Sequence, residues 1–235
     1  MTGKLAFIAT AGTIGAIVLL TAGIGLSGRN WADARYLWIT RQSTCGSAVS
    51  ASRQVTLPFT ATDNLEIDLP ASVRYQPGDK AEAVVSGDPA LLDHVRMEGG
   101  RLSLDCDPGW LESRLDVSLS GPPITGWKLV GSGDLTLSQI NQPQLRVSIQ
   151  GSGSVAATGA ADSVDVEISG SGAARLKGLI AKSAQITIRG SGDAHMTAQT
   201  DADVSISGSG NVELSGHPIL RRSEVRGSGR IVQAP

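Results

Sequence analysis

The sequence predicts an all-β chain wound as a parallel β-solenoid with Gly-Ser-Gly turns, preceded by one N-terminal transmembrane or signal helix. Three observations carry this. The triplet Gly-Ser-Gly occurs six times, and successive copies start 18 to 20 residues apart. Apolar and polar residues alternate on both sides of each triplet. A separate uncharged, mostly apolar run stands near the other end of the chain, at 5–26.

The repeat defines its own elements. Two positions before each triplet stand Leu129, Ile149, Ile168, Ile188, Ile206 and Val225. Four before stand Trp127, Val147, Val166, Ile186, Val204 and Ser223. Two after the last Gly come Leu135, Val155, Ala174, Ala194, Val212 and Ile231, and four after come Leu137, Ala157, Leu176, Met196, Leu214 and Gln233. A period of two, rich in β-branched residues, is the mark of a half-buried strand. Each repeat therefore reads as a short strand, a Gly-Ser-Gly turn, a second short strand and a more variable turn. Asn141-Gln142-Pro143, Thr158-Gly159-Ala160 and Gly216-His217-Pro218 punctuate the variable turns, because Gly admits positive φ, Pro removes a donor and Asn bonds its own backbone.

One such unit cannot bury its apolar face alone, so a period near 19 points to stacking. Like then lies on like at roughly 4.8 Å per rung. The turn glycines Gly131 and Gly133, Gly151 and Gly153, Gly170 and Gly172, Gly190 and Gly192, Gly208 and Gly210, and Gly227 and Gly229 form columns where no Cβ fits. The serines between them are expected to form a hydroxyl ladder. The rival is an antiparallel meander with the triplets as hairpin loops. It explains the alternation equally well, but does not require the same triplet at every second turn.

Gly-rich turns also suggest phosphate or calcium. A phosphate cradle needs glycines feeding a helix N-terminus, whereas strands flank these triplets and no Gly-Lys-Ser/Thr occurs. The calcium nonapeptide repeats every nine residues with a regular Asp, whereas Asp follows the triplet only at Asp134 and Asp193. The triplets read as turns.

The N-terminal part divides into a signal anchor at 1–28, a juxtamembrane linker at 29–54 and the domain at 55–235. The run at 5–26 is long enough to cross about 30 Å of hydrocarbon as a helix and longer than a usual signal core. An uncleaved anchor is the reading it favours; cleavage near Ala32-Asp33-Ala34 is the alternative. Export of the C-terminal part is expected, with Trp31 and Trp38 at the membrane interface. In an exported domain the two cysteines, Cys45 and Cys106, invite a disulfide, against two unpaired thiols. Metal binding is not expected, since Cys-x-x-Cys is absent and His94, His195 and His217 are scattered.

From Val55 short alternating segments begin. Leu65–Leu69, Val73–Tyr75, Ala81–Val85, Leu102–Leu104 and Leu115–Leu119 read as strands. Leu91, Leu92 and Val95 suggest one short helix, capped by Asp88 with Pro89 at its first position. Lacking the triplet, 55–126 reads as irregular first rungs or a capping half to the repeats at 127–235.

Asn64-Leu65-Glu66-Ile67-Asp68-Leu69-Pro70-Ala71, Val73-x-Tyr75-x-Pro77-Gly78 and Val85-Ser86-Gly87-Asp88, followed by the triplet array, resemble the putative auto-transporter adhesin, head GIN domain family over about 55–232. The resemblance implies a right-handed β-helix-like fold in a bacterial envelope protein and supplies no catalytic motif. An auto-transporter carries its own outer-membrane barrel, and only Ile231 to Pro235 follow Arg230 after the last triplet, so no barrel strands are expected.

The remaining residues weigh against chemistry. Glycoside hydrolysis needs two carboxylates about 5–9.5 Å apart. Asp134 and Asp193 share a repeat position but lie three repeats apart, roughly 14 Å at the usual spacing. Asp165 and Glu167 read as solvated strand charges, and no nucleophile or metalloprotease motif appears. Stacking on sugars is disfavoured because 128–235 contains no Phe, Tyr or Trp. Nucleic acid is disfavoured by a formal charge of −2. Thr136, Arg146, Ser148, Gln150, Glu167, Arg175, Thr187, Arg189 and Glu213 are expected to face outward, and Arg221, Arg222, Arg226 and Arg230 to blunt the last rung. The expectation is a non-enzymatic, membrane-anchored, exported binding or structural module of the cell envelope, with no cofactor. A surface adhesin and a periplasmic scaffold or sensory partner are the alternatives. An envelope polymer or protein would be its partner, and an exposed terminal rung would permit self-association.

Overall fold

The computed structural model describes residues 44–46, 52–60, 62–108 and 115–234. The apolar run at 5–26 and most of the linker lie outside the described residues. Among the described residues no helix is long and apolar enough to cross a membrane.

Fifteen strands follow one another: β1 (Arg53–Pro58), β2 (Asn64–Asp68), β3 (Ala71–Pro77), β4 (Glu82–Gly87), β5 (Val95–Glu98), β6 (Arg101–Leu104), β7 (Leu115–Gly121), β8 (Gly126–Gly131), β9 (Asp134–Gly151), β10 (Ser154–Gly170), β11 (Ala173–Gly190), β12 (Asp193–Gly208), β13 (Asn211–Ser215), β14 (Ile219–Gly227) and β15 (Arg230–Gln233). One helical turn, α1 (Pro89–Leu92), stands between β4 and β5. Its cap is as the residues require: the Asp88 side chain accepts from the Ala90 N–H, and Pro89 occupies the first turn. Val95 is not part of it. It opens β5, which pairs antiparallel with β6 through Gly99-Gly100, both at positive φ.

Pairing between repeats is parallel and in register, which excludes the meander. Gly131 pairs with Gly151, Gly151 with Gly170, and Gly170 with Gly190. Two ladders result. The ladder after the triplets carries β3 and the starts of β9 to β12, then β13 and β15. The ladder before the triplets carries β2, β8, the ends of β9 to β12, and β14. The irregular first part is thus both things at once. Its strands β2, β3 and β8 are true rungs, while β1 and β4 cover one ladder antiparallel and β5 covers the other through β6.

A further expectation about local structure fails. The variable turns do not interrupt the strands: β9 to β12 run 16 to 18 residues each, one full circuit of the coil. Rung-to-rung bonding continues round the corner, and only the register slips, between Ala156 and Thr158 and between Leu176 and Ile180. A bulge turns the chain without giving up the ladder.

The core is the inside of the coil. The apolar positions flanking the triplets, from Leu129 through Leu214, are essentially fully buried, joined at the corner by Ile140, Ala161, Leu179, Ala181 and Ala198. The largest buried side chains sit at the first rung, where the Tyr75 and Trp127 rings lie 4.8 Å apart at 55°. Their polar atoms are satisfied: Tyr75 Oη donates to the Pro122 carbonyl at 2.8 Å and Trp127 Nε1 to the Ile124 carbonyl at 3.2 Å.

The turn shows why the triplet recurs. At Gly190 φ is +128°, and a Cβ would lie 2.3 Å from the Gly170 carbonyl oxygen. The last Gly has a second reason: a Cβ on Gly192 would meet both the Gly172 carbonyl and Cγ2 of Ile168, the apolar residue two places before the preceding triplet. The other stacked triplets repeat this crowding, at Gly151 and Gly153, Gly170 and Gly172, Gly208 and Gly210, and Gly227 and Gly229. Gly131 and Gly133 open the columns. The serines are exposed, and among the described residues the bonds at these turns come from backbone N–H groups, not from a hydroxyl ladder.

This crowding separates two otherwise identical substitutions. Gly131 has positive φ but nothing within 4 Å of its Cβ position, so Gly131→Ala carries only a conformational cost of about 1–3 kcal/mol. Gly190→Ala adds a backbone clash that costs about 1–3 kcal/mol more. Urea unfolding midpoints should rank wild type, Gly131→Ala, Gly190→Ala in falling order; equal midpoints for the two variants would contradict the column.

Candidate functional site

The triplet turns offer no anion site. Their amides are already used, since Ser171 N–H donates to Gly151 O, Ser191 N–H to Gly170 O and Ser209 N–H to Gly190 O, each at 2.9 Å. An oxyanion would have to displace rung-to-rung bonds.

The chemistry-bearing side chains instead form columns outside the coil. After the triplets, register aligns Arg175, His195 and Glu213 on successive rungs. Lys177 Nζ donates to Glu213 Oε1 at 2.6 Å, and His195 Nδ1 lies 2.9 Å from Glu213 Oε2. The Lys177 hydrogen bond first, and that of His195 second, hold the Glu213 carboxyl below its ordinary range. A histidine beside a carboxylate is half of a catalytic arrangement, yet among the described residues no nucleophile is bonded to it. The nearby Thr197 hydroxyl donates to the Lys177 carbonyl at 3.0 Å. The cluster is a clip across three rungs. Sequence reasoning passed over it, although His195 and Glu213 share the third place after the triplet.

Before the triplets three carboxylates are likewise engaged. Asp165 accepts from Arg146 at 3.2 Å, Glu167 pairs with Arg189, and Glu66 pairs with Lys128 at 3.2 Å. Asp134 and Asp193 are three rungs apart in the register. Asp134 takes a hydrogen bond from Ser154 Oγ at 2.6 Å, and Asp193 one from Asn211 Nδ2 at 2.9 Å. Neither couple forms an acid–base pair. A shallow groove of about 340 Å³ lies over Asn64, Glu66, Trp127, Lys128 and Arg146, and another of about 300 Å³ crosses the corners at Asn141, Asp162, Ile180, Lys182 and Gln199. Both are open and of mixed polarity.

Cys45 and Cys106 are joined, with Cα atoms 5.3 Å apart. Thr44 reinforces the junction: its N–H donates to Asp107 O at 2.9 Å and its hydroxyl accepts from Asp107 N–H at 2.8 Å. The chain therefore enters the domain beside β6. Cys106 also lies in the one grouping of potential ligands among the described residues, with His94 and Asp105. It does not suit a metal, because a disulfide sulfur is not a thiolate, and Asp105 is held by His94 and Arg96.

A coil with its apolar side turned inward and its charged side chains in outward columns defines a repeat domain of the β-solenoid class, and comparison names the family. The chain matches the family described as putative auto-transporter adhesin, head GIN domain over residues 62–218. This covers about two thirds of the chain, and the chain belongs to that family. The fold resembles a putative adhesin from Bacteroides fragilis NCTC 9343 (16% identity, 80% of this chain and 99% of that chain, TM-score 0.61). It also resembles a putative adhesin from Parabacteroides merdae ATCC 43184 (15% identity, 80% and 98%, TM-score 0.50). No curated protein matches the sequence.

Two outcomes follow. Glu213 titrates lower when folded, so its contribution is present above the unfolded carboxylate range and lost as pH falls through its folded value. Glu213→Gln should flatten the acid limb of the stability–pH curve while leaving the neutral-to-alkaline part parallel to wild type; an unchanged acid limb would remove the clip. The disulfide closes a loop with a sequence separation of 61, worth about 4 kcal/mol on the chain-entropy model. Cys45→Ala with Cys106→Ala should lower the urea midpoint accordingly, and reductant should then have no further effect.

Proposed function

We propose that this chain is a non-enzymatic binding or structural module of a bacterial cell envelope, held at the inner membrane by the segment at 5–26 with its coil exported. The observation that carries this reading is the Cys45–Cys106 disulfide. It belongs to an oxidising compartment, and it fixes where the chain enters the coil from the N-terminal side. Family membership and an outer surface of mixed charge, nine acidic and nine basic residues from Gly131 onward, support a role in contact rather than catalysis.

The ligand surface in this reading is the set of outward columns, in which the positions of Thr136, Ser148 and Gln150 recur on each rung at roughly 4.8 Å, with Arg175 and Arg189 two rungs further along the columns of Thr136 and Gln150. Such a surface suits many weak polar contacts with an extended envelope polymer or protein. A surface adhesin is the alternative function, and a periplasmic scaffold or sensory partner is the second. A retained anchor favours partners close to the inner membrane.

The test couples the full chain to beads through its N-terminus and measures retention of whole cells, isolated envelope polymers and envelope proteins. Saturable retention of isolated envelope material, lost on unfolding the coil, is expected. Retention of intact cells as well would favour the adhesin, and no saturable retention of any fraction would contradict the binding role.

A further inference from the structure

The two ends of the coil differ. At the end where the chain enters, antiparallel strands and α1, packed on β1 and β4, cover the first rungs. At the other end β14 pairs only with β12 and β15 only with β13, so among the described residues the outer edges of both ladders are open. The inward columns stop there uncovered: Val225, stacked on Ile206, is 39% exposed, and beside them the outward-facing Ile219 and Val232, in register with Asp201 and Glu213, leave further apolar surface 72% and 44% exposed. Inward positions become polar, with Ser223 and Gln233 where every other repeat is apolar.

This end is also strongly basic. Residues 219–234 hold four arginines against one glutamate in a chain of net charge −2. Arg221 is engaged by Asp201 at 3.0 Å and Arg226 by Glu224 at 2.6 Å. Arg222 and Arg230 are exposed and have no ionic partner among the described residues.

We propose that the open end formed by β14 and β15 is a docking site for an extended acidic segment of a partner protein, which adds a further rung to the coil. Each feature selects that occupant. Unpaired N–H and C=O groups at strand spacing are matched by an extended peptide backbone. The bare ends of the apolar columns take alternate apolar side chains, and Arg222 and Arg230 favour carboxylates on the intervening positions. A second copy docking end to end would bring arginines against arginines, the usual device against edge pairing. An acidic polysaccharide satisfies the arginines but not the backbone edge. This proposal deepens the binding-module reading and names one partner class for one end.

The experiment titrates the full chain in detergent with three short capped probes: alternating Val and Glu, alternating Val and Lys, and the acidic peptide with its central Val replaced by Pro. Hyaluronate serves as an acidic polymer without a peptide backbone. Binding of the first peptide is expected, at least tenfold tighter than the other peptides and hyaluronate, weakening with salt. Hydrogen exchange should slow at 219–233 and nowhere else. Arg222→Glu with Arg230→Glu, both on exposed side chains, should weaken it at least tenfold with an unchanged unfolding midpoint. The proposal is overturned by any of four results. These are equal binding of acidic and basic peptides, hyaluronate binding as tightly, protection elsewhere on the coil, or sedimentation showing end-to-end dimers that the peptide does not dissolve. Retention of envelope material in the bead assay, with no peptide binding here, would overturn this site alone and leave the binding module standing.

Discussion

The constraint on which the coil rests is a close approach between backbones at the first glycine of each stacked triplet, from Gly151 to Gly227. There the chain turns with positive φ directly above the carbonyl of the same glycine one rung below, leaving 2.1 to 2.5 Å where a Cβ would be. Every other property of the coil depends on that approach. It brings the next amide into bonding range of the carbonyl beneath, it sets the register of both ladders, and it lets Leu129, Ile149, Ile168 and Ile188 tuck beneath the last glycine of the following triplet. A single added methyl would force rungs apart at the point where both ladders begin.

Register then decides the surface. Because rungs repeat in phase, a residue type placed at one outward position recurs as a column, and neighbours in space are 18 to 20 residues apart in sequence. That is how Lys177, His195 and Glu213 meet, how Ser154 reaches Asp134, and how Arg146 reaches Asp165. These pairs are largely exposed, so each stabilises the coil little. Their effect is to leave a surface on which many of the charges are paired, suited to numerous weak contacts. At the last rung, among the described residues, no further strand pairs with β14 or β15 to continue the pattern.

Much of this was legible from residues alone. Alternation about the triplets identified the buried positions, because a period of two has only two faces and one was consistently apolar. Asp88 and Pro89 announced α1, because a cap and a helix start require those chemistries. The corners were hidden, since Ile140, Gly159 and Leu179 pair across the rungs but Gly159 breaks the apolar type at that place, and the register slips immediately before it. The β5–β6 hairpin was hidden for another reason. Leu91, Leu92 and Val95 fit a helical spacing, and nothing local says that the helix stops at Leu92 and the chain turns back through Gly99-Gly100. The charge columns carried a signal in their shared offset from the triplet, visible once parallel stacking is accepted.

Parallel stacking at one rung per triplet is the claim from which the rest follows, and a distance tests it. Spin labels at the exposed Ser132 and Ser228 span five repeats. One rung per repeat places the labelled backbones about 24 Å apart, whereas a meander with two strands per repeat places them about 48 Å apart. A dipolar distance distribution centred near the shorter value is the result expected here. One centred near the longer value would contradict the coil, and with it the glycine columns, the surface registers and the open terminal edge.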